Sequence, residues 1–256
     1  MNTIELDILL PAFVAGLLVL TTHIPLGMRV LARGVIFADL AVAQIAGLGL
    51  VLAGLLHLTE HPPLVQALAA ASALLGAALL AWIDHRLPDI KEACIGLSFV
   101  LAASGGILLM SHDVHAGEHL QDLLVGQILW VSTNQLVATA VLSALLLAAW
   151  RWLSSRQHQA ELAGFGFYAL FALAVTASVQ LVGVYLVFAS LIVPALATYR
   201  LQRWRTACAT GIGVTGYAIG LLLSAWFDLP SGAAIVWAMA LCGGVAALLI
   251  NPRKEA

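Results

Sequence analysis

Long apolar runs separated by short polar stretches fill almost the whole chain. A helix that crosses a bilayer needs about 20 consecutive apolar residues. Runs of that kind lie at about 8–30, 35–58, 64–84, 93–111, 133–150, 164–181, 183–199, 206–227 and 232–250. They predict eight or nine spanning helices, because 164–199 is long enough for two crossings only if Gly183 allows a sharp break. The pattern therefore indicates an all-α polytopic membrane protein, with residues 1–256 forming one transmembrane domain.

Composition supports the same class. Hydrophobic residues make up 62% of the chain and charged residues 9%, against about 25% charged residues in soluble domains. Membrane lipid is therefore the expected surrounding, and no nucleic-acid partner is expected. Glu5 and Asp7 stand where a signal peptide would carry positive charge, so no cleavable signal is expected. The three cysteines lack ligand spacing and are interpreted as small core residues.

The basic residues predict the orientation, since lysine and arginine collect on the cytoplasmic side of a membrane protein. With nine crossings, all eleven of them fall on one side. They are Arg29, Arg33, Arg86, Lys91, Arg151, Arg156, Arg200, Arg203, Arg205, Arg253 and Lys254. The loops of the other side carry acids and histidines. We expect a bacterial inner-membrane protein with its N-terminus in the periplasm and its C-terminus in the cytoplasm.

Helix breakers inside the apolar runs suggest a transport pathway. We expect interruptions at Pro25 and Gly27, at Gly105 and Gly106, and at Pro194, since broken helices at membrane depth usually face protein or a cavity. The chain contains no HExxH, GxSxG or Walker phosphate-binding motif. It is therefore not expected to be an enzyme or to hydrolyse ATP by itself.

Three stretches resemble a known family. They are VGVYLVFASLIVPALAT at 182–198, FDLPSGAAIV at 227–236 and LVGQILWVS at 124–132. In order and spacing they resemble the ABC-3 metal-ion permeases of ATP-binding-cassette importers, which carry zinc, manganese or iron. The resemblance implies a type II-like permease that works with a second permease copy, a cytoplasmic ATPase dimer and a periplasmic metal-binding protein. It implies a divalent metal as substrate and no permanently bound cofactor.

Asp39 is the first candidate metal ligand, because a carboxylate at membrane depth marks a functional site. It resembles the aspartate of the family motif GDAxSHAxLPG, whose histidine is replaced here by Ala43. His23 is a candidate substitute, and Gln44 a weaker third group. Counting six residues from Arg29 and Arg33 predicts that His23 and Asp39 lie at the same depth, about 9 Å from the basic boundary. The alternatives are that Asp39 caps its helix or pairs with Arg29 or Arg33, and that His23 bonds a carbonyl freed by Pro25.

The polar stretch 111–124 is a candidate site for metal entry or docking outside the membrane. Its candidate residues are His112, His115, His119, Asp113 and Glu118. Imidazole and carboxylate together suit zinc and similar divalent ions. A docking loop whose histidines bind nothing specific is the alternative.

The stretch 154–166 stands at the place of the family's coupling helix, although its Asp-Pro is missing. Arg156, Glu161 and Gly164 are the candidates for contact with the ATPase, and an ordinary interhelical loop is the alternative.

Zinc is the preferred substrate because the outer loops are rich in histidine, while manganese and iron(II) remain alternatives. A secondary transporter driven by an ion gradient is a further alternative, although the membrane segments offer only His23 and Asp39 for coupling. The third hypothesis, after the metal importer and the secondary transporter, is a structural membrane subunit without its own transport pathway.

Overall fold

The computed structural model describes residues 3–56, 58, 61–111, 124–155 and 160–250, and within these ranges the chain is helical, without strands. The helices are α1 (Thr3–Arg33), α2 (Ala38–Leu55), α3 (Pro62–Arg86), α4 (Lys91–Leu109), α5 (Thr133–Ser155), α6 (Ala160–Val182), α7 (Val184–Ala197), α8 (Arg205–Phe227) and α9 (Ser231–Ile250). A short 3-10 helix covers Ile128–Trp130. The bounds follow the apolar runs closely, which confirms the all-helical fold class.

Eight of these helices are long and apolar enough to cross a membrane. The exception is α7, whose 14 residues extend about 21 Å, less than the roughly 30 Å of a hydrocarbon core. The predicted break at Gly183 is present, since α6 ends at Val182 and α7 begins at Val184. Gly183 has φ 80° and ψ 162°, a backbone region open almost only to glycine.

The expected interruptions elsewhere are wrong. α1 continues through Pro25 and Gly27, and α4 continues through Gly105 and Gly106. Pro194 lies inside α7, which continues to Ala197. A proline removes one backbone donor without ending a helix whose other bonds and packing are retained. Gly27 instead allows close packing, because a Cβ at this position would overlap the carbonyl group of Leu191.

The described chain forms two compact units. The first contains residues 1–33, 124–143 and 181–256, and therefore α1, the start of α5, α7, α8 and α9. Its centre is α7, which packs against α1, α8 and α9 and is buried along most of its length. Glycines set the helix distances: Gly216 and Gly220 of α8 lie against Met239 and Ile235 of α9. Small residues of this kind let helices approach closely in lipid.

The second unit contains residues 34–123 and 144–180. In it, α2 packs against both α3 and α4. Gly49 of α2 lies against Ser72 and the Leu68 carbonyl of α3, while Leu48 of α2 meets Gly105 and Gly106 of α4. Between α3 and α6, the Gln66 side-chain amide donates to the Gln180 side-chain oxygen over 2.8 Å. This packing places the beginnings of α2 and α4 next to each other.

The three stretches that carry the family resemblance meet in the first unit. Gly126 and Gly183 both have positive φ, 71° and 80°, and their backbones are in direct contact. A Cβ on Gly183 would lie 2.5 Å from the Gly126 nitrogen. A Cβ on Gly232 would lie 2.6 Å from the Val125 carbonyl oxygen. Backbone segments approach each other closely at this one place, and this explains why each of the three stretches has a glycine there.

We expect Gly183→Ala to lower the free energy of unfolding by about 3 kcal/mol, because the new side chain adds backbone strain and a clash. Thermal unfolding in detergent measures the effect. Gly244→Ala is the matched control, since Gly244 lies in α9 with open space around it. The control should gain up to about 1 kcal/mol from helix propensity. Equal midpoints for Gly183→Ala and the unchanged protein would contradict the close crossing.

Candidate functional site

His23 lies within α1 and is fully buried. Its Nδ1 atom is 2.9 Å from the Val19 carbonyl oxygen and 3.0 Å from Thr22 Oγ1. A carbonyl oxygen only accepts, so Nδ1 donates and the Nε2 atom of the neutral ring carries the lone pair. Nε2 is buried and has no hydrogen-bond partner among the described residues. Metal-binding histidines are usually anchored in this way through the other ring nitrogen.

The alternative role expected for His23 is wrong in its detail. Pro25 lacks the N–H that would bond the carbonyl four residues earlier, which is that of Thr21. The His23 side chain bonds Val19 instead. The contact with Val19 therefore orients the ring and does not compensate for the proline.

Asp39 lies in the first turn of α2 and is 1% exposed. Neither of its carboxylate oxygens has a hydrogen-bond partner among the described residues. The backbone N–H groups of Asp39 and Leu40 nevertheless lie close enough to stabilise its charge, so the carboxylate interacts with the open amides of the first turn without forming a well-aligned hydrogen bond. The partial positive charge at the start of a helix offsets only part of the cost of burying a carboxylate. The role of Asp39 as a metal ligand stays a prediction.

His23 and Asp39 stand at different distances from the ends of their own helices, and the expectation that they share one depth stays a prediction. Residues 34–37 connect α1 to α2, so Asp39 is the second residue of a helix that begins at Ala38. His23 stands ten residues before the end of α1 at Arg33, about 15 Å along the helix axis. The two residues also belong to different compact units, so their pairing stays a prediction.

Gln44 does not join Asp39 on one face of α2. Five residues rotate a helix by about 140° beyond a full turn, and Gln44 is half-buried. Ala43, four residues after Asp39, shares its face and is buried. Among the described residues, no group of three or more His, Cys, Asp and Glu side chains could hold a metal ion.

The other candidates fall partly outside the described ranges. His112, Asp113, His115, Glu118 and His119 lie there entirely, and so does Arg156. Glu161 and Gly164 belong to the first turns of α6. Where 154–166 is described, it is thus the end of α5 and the start of α6, without a separate short helix. The role of this segment in ATPase coupling stays a prediction.

The sequence analysis missed Glu92, in the first turn of α4. Its Oε1 accepts a hydrogen bond from the Phe37 backbone N–H over 3.2 Å, two residues before Asp39. Its Oε2 is buried without a hydrogen-bond partner in the described chain. The carboxyl groups of Glu92 and Asp39 interact electrostatically. The available signal was an acid at the start of an apolar run, but next to Lys91 it resembled an ordinary solvated helix end.

A model of the ABC 3 transport family matches residues 5–249 of this chain. The chain belongs to that family.

Similar proteins bear names that refer to metal transport. The probable iron transport system membrane protein of Haemophilus influenzae is 27% identical over 57% of this chain and 60% of its own length. The high-affinity zinc uptake system membrane protein ZnuB of the same organism is 23% identical over 90% of this chain and 93% of its own length. The chelated iron transport system membrane protein YfeD of Yersinia pestis is 28% identical over 64% and 62%. The match thus spans about three fifths of the first relative.

The fold of this chain is similar to that of a solved structure over its whole length. A chain of PsaBC from Streptococcus pneumoniae, solved in complex with Fab, superposes with a TM-score of 0.77 at 21% identity. The superposition covers 100% of this chain and 98% of the other. The superposition confirms the predicted fold, and the family model confirms the predicted family.

We expect Asp39→Ala to raise the free energy of unfolding by about 1–2 kcal/mol, because it removes two buried oxygens that lack partners. Thermal unfolding of the metal-free protein measures the change. Asp84→Ala is the matched control, since the Asp84 carboxylate accepts from Lys91 Nζ over 3.0 Å. The control should be no more stable than the unchanged protein. A comparable loss of stability in both variants would show that Asp39 has a structural partner.

Proposed function

We propose that this chain is the permease subunit of an ABC importer that carries a divalent metal ion, zinc foremost, from the periplasm to the cytoplasm. It would work by alternating access with a second permease copy and a periplasmic metal-binding protein. A separate cytoplasmic ATPase dimer would supply the energy. Membership of the ABC 3 transport family supports this proposal. So do relatives whose names refer to zinc and iron transport.

The observation that carries the proposal is that Nε2 of His23 is buried and has no hydrogen-bond partner in the described part of the chain. Burying a polar nitrogen without a partner costs free energy, and such groups in membrane helices are usually functional. Because Nδ1 donates to Val19, the lone pair of Nε2 is available at all times to a passing cation. Imidazole nitrogen suits zinc, and also iron and other late divalent ions.

Asp39 supplies the second group of the proposed pathway. A buried carboxylate attracts a cation that is losing its water, and no side chain of the described residues competes with the cation for the Asp39 oxygens. Carboxylate oxygen suits manganese as well as zinc. The named relatives do not share one metal, since one name refers to iron transport and another to zinc uptake. Manganese and iron(II) therefore remain the alternatives. Family membership favours all of these over transport driven by an ion gradient.

The proposal predicts metal-stimulated ATP hydrolysis by the reconstituted complex of permease, ATPase and binding protein. Zinc, manganese and iron(II) are compared at equal free concentrations. His23→Ala and Asp39→Ala should each weaken the stimulation at least about tenfold. This is the lower end of the loss in activity found when residues that support a metal site are replaced. His85→Ala and Asp89→Ala are matched controls, because both side chains are exposed. Stimulation that survives both pathway variants would rule out the proposed ligands, and its absence with every metal would rule out the function.

The outer histidines are predicted to raise the local metal concentration. Replacing His112, His115 and His119 with alanine should increase the metal concentration needed for half-maximal uptake without changing the maximal rate. Uptake of radioactive zinc into proteoliposomes measures both quantities. An unchanged half-maximal concentration would leave the stretch as a docking loop only.

A further inference from the structure

We propose that Glu92 and Asp39 together form a two-carboxylate site for a divalent cation at the beginnings of α2 and α4. The inference rests on the proposed function, because it assigns a second ligand to the pathway that contains Asp39. It adds a residue from α4, a helix to which the sequence analysis assigned no ligand.

Contacts within the second unit bring the two acids together. Phe37 is the N-cap residue of α2 and donates its backbone N–H to Glu92 Oε1 over 3.2 Å. Asp39 follows two residues later, within the first turn. Packing of α2 against α4 extends along both helices to the contact of Leu48 with Gly105 and Gly106. This hydrogen bond holds the half-buried side chain of Glu92 against the start of α2.

Three carboxylate oxygens at this place are buried and have no hydrogen-bond partner among the described residues. They are both oxygens of Asp39 and Oε2 of Glu92. Asp39 is 1% exposed, so water does not satisfy it at the surface. The carboxyl groups of Glu92 and Asp39 repel each other when both are charged. A divalent cation bound between them would remove this repulsion and take oxygen ligands from both acids.

The neighbouring charges leave room for this role. Lys91, which precedes Glu92, bonds Asp84 at 3.0 Å and so directs its ammonium group towards α3. The amides of the two first turns favour negative charge on both acids in the absence of metal. Oxygen ligands of this kind bind manganese and magnesium and also occur at zinc sites.

The location gives the site a place in transport. It lies at the end of the second unit that carries Lys91 and Arg86, which the charge pattern predicts to be cytoplasmic. A cation that leaves the membrane towards the cytoplasm would pass it last. We therefore assign it to metal release.

Binding of Mn²⁺ to the purified full-length permease in detergent tests the proposal, with free Mn²⁺ measured by electron paramagnetic resonance. The variants are Glu92→Gln, Glu92→Ala and Asp39→Asn. Glutamine keeps an oxygen that can accept from the Phe37 N–H, so Glu92→Gln changes charge while the contact is retained. Asp89→Asn is the matched control, because Asp89 is an exposed acid in the connection before α4. Size-exclusion profiles and unfolding midpoints verify that each variant is folded.

We expect Glu92→Gln and Asp39→Asn each to weaken Mn²⁺ binding about tenfold or more. The fold-loss in Mn²⁺ binding of the double variant should be smaller than the product of the two single-variant fold-losses, because the two acids share one ion. Added zinc should displace Mn²⁺ from the unchanged protein, and Asp89→Asn should bind normally.

Normal binding by Glu92→Gln would overturn the proposal, and loss in Glu92→Ala alone would reduce Glu92 to positioning the start of α2. Loss in Glu92→Gln with normal binding by Asp39→Asn would also overturn it, as would absence of binding to the unchanged protein. Failure of the transport function is seen separately, as missing metal stimulation of the complete complex. Binding to the permease alone does not depend on that result.

Discussion

Direct backbone contact at glycine positions is the constraint on which the first unit depends. Lipid tails are as apolar as leucine, so helices in a bilayer are held together by close packing and by few polar bonds. Gly126 and Gly183 cross with positive φ, and Gly232 lies against the Val125 carbonyl. These contacts fix where α7 begins, and α7 in turn packs against α1 at Gly27 and Leu191. The contacts of Gly126, Gly183 and Gly232 thus position α1, the helix that carries His23, indirectly through α7.

Close packing makes the few unsatisfied polar groups conspicuous. Ser190 and Tyr217 bond each other over 3.0 Å in the core of the first unit, and Thr198 bonds the Pro194 carbonyl. Nε2 of His23 and the carboxylate of Asp39 have no such partner in the described chain. Glu92 Oε2, Thr176 Oγ1 and Arg205 Nε are likewise buried without a partner there. What distinguishes His23 and the two acids is that imidazole and carboxylate are also metal ligands, so the proposed ion pathway would account for the cost of burying them.

The sequence allowed the helices to be predicted, because eight of the described helices are long enough to cross a hydrocarbon core and each appears in the sequence as an apolar run of similar length. The break at Gly183 could be stated only as a condition, since positive φ depends on the contact with Gly126. Prolines and glycines were expected to interrupt α1, α4 and α7, but their effect was decided by neighbouring helices. The apolar run predicted from residue 35 did not show that α2 begins only at Ala38, because residues 34–37 are a connection. Glu92 was missed because its bond to Phe37 joins residues 55 positions apart.

The replacement of the family histidine by Ala43 bears on the choice of metal. Ala43 shares the buried face of Asp39, so a histidine there would place nitrogen beside the carboxylate. With alanine, nitrogen must come from another helix, for which His23 on α1 is the candidate, or the site must bind through oxygen alone. Glu92 provides that oxygen within the same unit as Asp39. A ligand set that includes imidazole would favour zinc or iron, whereas the oxygen ligands of Asp39 and Glu92 alone admit manganese on equal terms.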